Sequence, residues 1–234
     1  MEHCAAGGGG LKSLLLADVP GRSFTAAAVD HCDKIEWYPT AADLALSDDL
    51  GFTTGPWSCT LAGGGGQIHG HFLTIWNRGA GCGWQVQFDH GVSHSEPANL
   101  EPKLVVDSAP SAPPPDLVAD DAVRQTIADF QGTIAEDGLA AGLRTYARTR
   151  DFCFYTDREP PMAMADANVY FTHYPHLGVC REDSRVLSAD GSLAYCAGKF
   201  TDLKQGISHA YAQVWQYEPR VANWGLRVLL INAL

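Results

Sequence analysis

Basic clusters are missing from this sequence, as are C-x-x-C pairs, phosphate-binding glycine loops, Ser-His-Asp order and any apolar run of membrane-spanning length. Each absence removes a class of function. Only 16 Lys and Arg stand against 27 Asp and Glu, for a formal net charge of −11 and a pI near 5.1. Binding nucleic-acid phosphates takes clustered cations, so no nucleic-acid partner is expected. The apolar runs fall far short of the ~20 residues that a helical span needs, so no membrane partner is expected either. The first ten residues lack the basic start and apolar core of a signal peptide, which makes the cytoplasm the expected compartment. The seven cysteines are odd in number and scattered. That argues against a disulfide framework or a structural zinc site and for reduced thiols. With no dinucleotide or phosphate fingerprint, no cofactor is implied.

What is present is one pattern stated twice. Residues 206–234 hold two runs rich in β-branched and aromatic residues around a turn-like stretch at 218–223, and residues 67–92 repeat the arrangement. Such a pair of runs is a hairpin signal. Trp76 and Trp215 stand 139 positions apart, and Ile68/Ile207, Phe72/Tyr211 and Ile75/Val214 keep that offset. Upstream, residues 50–55 match 193–198 at an offset of 143, and the difference of four is the length of the glycine run 63–66. A longer hairpin loop in the first copy accounts for it. Ser47-Asp48-Asp49 and Asp190-Gly191-Ser192 precede the strands with tight-turn chemistry. The chain therefore reads as a duplicated antiparallel meander.

Between the copies, prolines at 97, 102, 110, 113, 114 and 115 mark a linker over 97–116, with 103–106 as a candidate edge strand. The domain reading is an abbreviated, mainly sheet first repeat over 1–96, the linker, and a complete second repeat over 117–234. The second repeat opens on helices. Val123, Ile127, Phe130 and Ile134 lay one apolar stripe along the first, Gly138 stops it, and a second helix runs over 139–148 with Leu143, Tyr146 and Ala147 inward. A strand over 151–156, a turn over 158–162 and a short helix over 165–174 lead to a meander starting near Arg181. In the first repeat only 23–32 reads as a helix, followed by an edge strand over 34–38. An α+β architecture with few helices in its first half follows.

The residues at the helix junction (136–143), at the turn 188–195, and then Gly206, Val214-Trp215 and Trp224 resemble the nuclear transport factor 2-like superfamily. More narrowly they are similar to its SnoaL-like and ketosteroid isomerase-like cone domains. In the first copy the matching residues are 47–55, Ile75-Trp76 and Gly83-Trp84. The resemblance implies tandem cone-like repeats, each a curved antiparallel sheet with helices on one face, packed as an intrachain pseudo-dimer with homo-oligomers open to them. It implies a pocket inside the cone of the second repeat and leaves the activity open, because one fold hosts isomerases, cyclases, hydrolases and members that only bind or assemble.

Alternation places Ile207, His209, Tyr211, Gln213 and Trp215 on one face of the long strand, a mix of aromatics and polar tips suited to a pocket wall. His209 suits general acid or base work and Tyr211 donation to an oxyanion. The plainer reading makes His209 an interface histidine. Tyr146 from the second helix and Tyr170 and His173 at the pocket mouth complete the candidate ligand-binding set. In the first copy His69 and His71 share a face, with Asp89, His90 and His94 on the next strand. A metal would need a third ligand that this spacing does not fix, so no metal is assigned. Asp89 as a single base matches the sheet Asp of ketosteroid isomerase-like enzymes. Cys153, Cys180 and Cys196 read as structural thiols, and the tryptophans as core anchors. Three functions remain: a small apolar or aromatic ligand bound in the second cone, an isomerase, cyclase or lyase working from His209, Tyr211 or Asp89, and an assembly module with a filled cone.

Overall fold

The computed structural model describes residues 32–79, 83–96, 105–106, 119–148, 150–157, 159–172, 177–202 and 206–233. The expected helix at 23–32 (save Cys32), most of the linker 97–116 and His173 lie outside them. The chain divides into two compact units, Met1–Pro110 with Arg158–Pro160, and Ser111–Asp157 with Pro161–Leu234. The architecture is α+β.

The described part of the first unit is a six-stranded sheet. Strands β3 (Leu50–Leu61), β4 (Gln67–Arg78) and β5 (Trp84–His94) form its antiparallel centre. Along the other side of β3 lie β1 (Cys32–Trp37) and β2 (Ala41–Leu44), and β6 (Val105–Val106) pairs parallel to β2. Tight packing needs both faces of the centre dry. Leu73 and Ile75 on one face and Thr74 and Trp76 on the other are all buried.

The second unit begins with helix α1 (Ala119–Asp137), whose apolar stripe Val123, Ile127, Phe130 and Ile134 is fully buried, as its spacing predicts. Gly138 ends it with φ of 84° and a backbone bond of 3.0 Å to the Ile134 carbonyl. Helix α2 (Leu139–Tyr146) packs back closely because Gly142 has no Cβ, which would meet Ile134 at 2.9 Å and Phe130 at 3.0 Å. The expected helix to Arg148 stops at Tyr146. Ala147 turns extended, and Arg148 N–H donates to Leu226 O at 3.0 Å, so the sheet captures the chain. Strands β7 (Cys153–Thr156) and β8 (Glu159–Met162) and helix α3 (Met164–Thr172) follow. The turn expected over 158–162 is thus a strand. Its two prolines are tolerated because β8 is the edge of the sheet order β8-β7-β12-β11-β10-β9. Antiparallel strands β9 (Leu177–Leu187), β10 (Leu193–Asp202), β11 (Ser208–Glu218) and β12 (Asn223–Ala233) complete it, and β7 joins β12 in parallel. One apolar core gathers Phe130, Leu143 and Phe171 from the helices with Tyr211, Trp215 and Leu229 from the sheet.

The reduced-thiol expectation fails at one place. Cys32 and Cys59 form a disulfide across β1 and β3, 27 residues apart in sequence. No local Cys motif marks it, because the pairing is created by strand register. Cys153 and Cys196 are in no disulfide among the described residues. No helix among the described residues is long and apolar enough to cross a membrane.

Candidate functional site

The helix-facing side of β11 is built by register. Tyr211, Gln213 and Trp215 point the same way along the strand, and all three are almost wholly buried. Gly198 and Ile231 flank Tyr211 on β10 and β12, while Cys196 and Leu229 flank Gln213. Aromatic packing then fixes the rings. Phe130 meets Trp215 edge-on at 5.3 Å and Tyr146 at 5.7 Å, and Tyr146 meets Trp215 at 6.3 Å. Phe200 tilts on Tyr211 at 4.5 Å. Tyr170 sits half-buried on α3 and contacts Phe154 and Phe171 instead. Tyr146, Tyr211, Gln213 and Trp215 thus gather in one core on the helix-facing side of the sheet. Tyr170 belongs to a neighbouring aromatic group, and His209 is half-buried nearer the start of β11, beside Phe200 and Ala233.

Gln213 is the polar centre of this wall. Its Oε1 accepts from the Trp215 indole N–H at 3.0 Å and from the Cys196 thiol at 3.1 Å. Its Nε2 is buried with no hydrogen-bond partner among the described residues. Leaving a buried donor unmade costs about 1–3 kcal/mol. Alternation could place Gln213 on this face but could not show that two donors share its oxygen.

At one end of the same sheet a buried ionic cluster forms where β12 bulges. The register shift between Val214 and Trp215 leaves Arg227 as the extra residue on β12, and a bulge re-aims its side chain. Arg227, 5% exposed, pairs with Asp151 at 3.4 Å. Asp151 also holds Arg148 at 2.9 Å, and Arg148 reaches Glu218 at 3.2 Å and the Gln216 side chain. Here the cations are matched by carboxylates, as burial demands. Burial pushes the Cys153 thiol up, away from nucleophilic reactivity.

In the first unit the candidate residues separate. Asp89 lies opposite Thr74, whose hydroxyl donates to it at 2.8 Å, whereas His69 lies opposite His94. A ligand set joining Asp89 to the histidines is not made, and among the described residues no group of three metal-ligating side chains forms. The histidines bond to one another instead. His94 Nδ1–H donates to Ser95 O at 2.7 Å, so its Nε2 accepts from His71 Nδ1–H at 2.8 Å. That arrangement requires the accepting His94 ring to be neutral. Burial, then the neighbouring His94, lowers the His71 pKa to about 3, and burial lowers that of His94 as well.

No protein family matches the sequence, and no curated protein does. Among solved structures, the chain is similar to a protein of unknown function of the DUF3225 family from Pectobacterium atrosepticum. The identity is 10%, the TM-score 0.42, and 51% of this chain and 93% of that chain are covered. It is similar to an NTF-2 like protein of unknown function from Shewanella oneidensis (14% identity, TM-score 0.39, 48% and 97% covered). A ketosteroid isomerase-like protein from Erwinia carotovora atroseptica gives 10% identity, a TM-score of 0.38, and 49% and 95% coverage. These are likenesses of fold over about half of this chain.

Proposed function

We propose that the second unit binds a small, largely apolar or aromatic molecule against the helix-facing side of β11. The observation that carries this reading is the Gln213 amide: a polar group at 0% exposure, set between two buried aromatics, with a donor that the described residues leave unused. Binding sites for small molecules combine mostly apolar walls with a few placed polar groups, and this wall has that composition. A core selected only for stability gains nothing from such an amide.

The test is ligand-observed NMR of the purified full chain against a set of small aromatic and alicyclic fragments. Saturation transfer to several fragments, with a rise in Tm, supports binding. If no fragment binds at millimolar concentration, the cone is filled by its own side chains and the assembly reading replaces this one. Turnover of a bound fragment that His209→Ala abolishes would promote the reading to acid–base catalysis.

A further inference from the structure

We infer that the Cys32–Cys59 disulfide is a redox clasp: a dithiol reductant that opens it releases strand β1 from β3 while the rest of the first sheet stays folded. The clasp is independent of ligand binding in the second unit. Strand β1 has few buried anchors. Of its six residues only Cys32 and Ile35 pack on the apolar cluster of Trp57, Cys59 and Phe72, and neither is fully buried. Asp33, Lys34, Glu36 and Trp37 are exposed. The ion pair of Lys34 with Glu36, at 2.7 Å, lies within β1 and does not reach β3. A register shift between Cys32 and Lys34 also interrupts the ladder to β3. Ordering six backbone residues costs more conformational entropy than one inward aliphatic side chain offsets by burial, so the cross-link is what keeps β1 in place.

The pairing keeps the release local. On β3, β1 pairs with residues 57–61 and β2 with residues 51–54, so the two share no partner. Thr40 N–H donates to Thr54 O at 2.9 Å, which fastens the connection at β2 and leaves the hinge at Tyr38 and Pro39. Strand β4 stays paired along β3. Cys59 is 2% exposed, whereas Cys32 is half-buried at the open end of β1, so an external thiolate attacks the Cys32 sulfur. The S–S bond breaks as a mixed disulfide forms on Cys32, and Cys59 leaves as a thiolate that takes up a proton. The second thiol of the reductant then displaces Cys32 as a thiol. The dithiol ends as a disulfide, having passed two electrons and two protons to the pair. With β1 swung away, Trp57 and Cys59 lie on an unpaired, apolar stretch of strand edge, which is open to pairing with another strand.

Hydrogen exchange of the full chain, read by mass spectrometry with and without millimolar dithiothreitol, tests the clasp. Alkylation of Cys32 and Cys59 certifies that the bond has opened. Exchange should rise at least about tenfold at 32–37 and 57–61, while 67–78 in the first unit and 208–218 in the second keep their protection. Reoxidation should restore the original pattern. Cys32→Ser should show the same local rise with no reductant present, which assigns it to this bond and to no other cysteine. The wild-type comparison decides alone if that variant does not fold. Unchanged exchange at 32–37 after both cysteines are alkylated overturns the inference, because the ladder then holds β1 without the bond. Exchange rising together over the whole first unit overturns it as well, since the disulfide is then a staple of the entire sheet. So does a bond that dithiothreitol cannot open in the folded chain.

Discussion

The two sheets differ in chemistry along a row where their backbones agree. In the first unit Thr53, Thr74 and Asp89 lie opposite one another across β3, β4 and β5; in the second, Cys196, Gln213 and Leu229 hold the same row across β10, β11 and β12. The agreement extends to single atoms. Ala45 N–H bonds Leu50 O and Ser188 N–H bonds Leu193 O, both at 2.9 Å, and each turn has one residue at positive φ, Asp48 or Gly191. Both sheets slip register one residue before the long-strand tryptophan, Trp76 or Trp215. Yet the first row is polar and closed, with Trp76 Nε1–H on Thr53 and Thr74 on Asp89. In the second row Leu229 replaces the carboxylate and the Gln213 donor is left over. Backbone plan and chemistry are thus set by separate residues.

The largest expected contrast is covalent. The Cys32–Cys59 bond ties β1 to β3 in the first unit, while Cys153 and Cys196 of the second are in no disulfide among the described residues. Closing a loop of that length stabilises by about 2–4 kcal/mol. Cys59→Ser should therefore lower stability by about that amount in denaturant melts, with Cys153→Ser costing much less. Thiol titration of the unfolded, unreduced chain should find fewer than the seven cysteines of the sequence; seven reactive thiols would remove the cross-link from the comparison.

Next come two close backbone approaches. A Cβ at Gly55 would clash with the carbonyl of Tyr38, in the connection between β1 and β2, and one at Gly198 with that of Arg181 on β9. Gly55→Ala and Gly198→Ala should each cost about 2 kcal/mol, at the upper part of the usual range for single substitutions. Costs differing by more than about twofold would show that the two close approaches are not equivalent.

These glycines, the turns and the alternating aromatics made both meanders and the helix stripe legible in the sequence, because each is a local demand of backbone geometry. What stayed illegible depends on register. The disulfide joins cysteines that only strand pairing brings together. Strand β8 hides behind two prolines that an edge position tolerates. Asp89 seemed close to His69 and His71 until pairing put it opposite Thr74. Tyr211, Gln213 and Trp215 could be placed on one face, but the second donor on the Gln213 oxygen, the Cys196 thiol, comes from another strand.

Acid should act on the first unit through its imidazole pair. A folded-state pKa of about 3 for His71, against an ordinary value near 6.5, means that the unfolded chain binds more protons between those pH values. Stability is then fully present above about pH 6.5 and is lost progressively as pH falls toward 3. His71→Leu should flatten the dependence of Tm on pH in that window by a few degrees, and an unchanged slope would remove His71 as its source.

The smallest expected effect probes the row itself. Thr53 and Cys196 stand at matching positions, but Thr53 accepts the Trp76 indole N–H, whereas the Trp215 indole is served by Gln213. Thr53→Val keeps the shape and strands a buried indole donor, at a cost of about 1 kcal/mol. Cys196→Ala removes only a weak thiol donor and a small volume, so its cost should be the lower of the two. Denaturant midpoints at constant m-value measure both. If Cys196→Ala proves the costlier, the thiol is what holds the Gln213 amide in place.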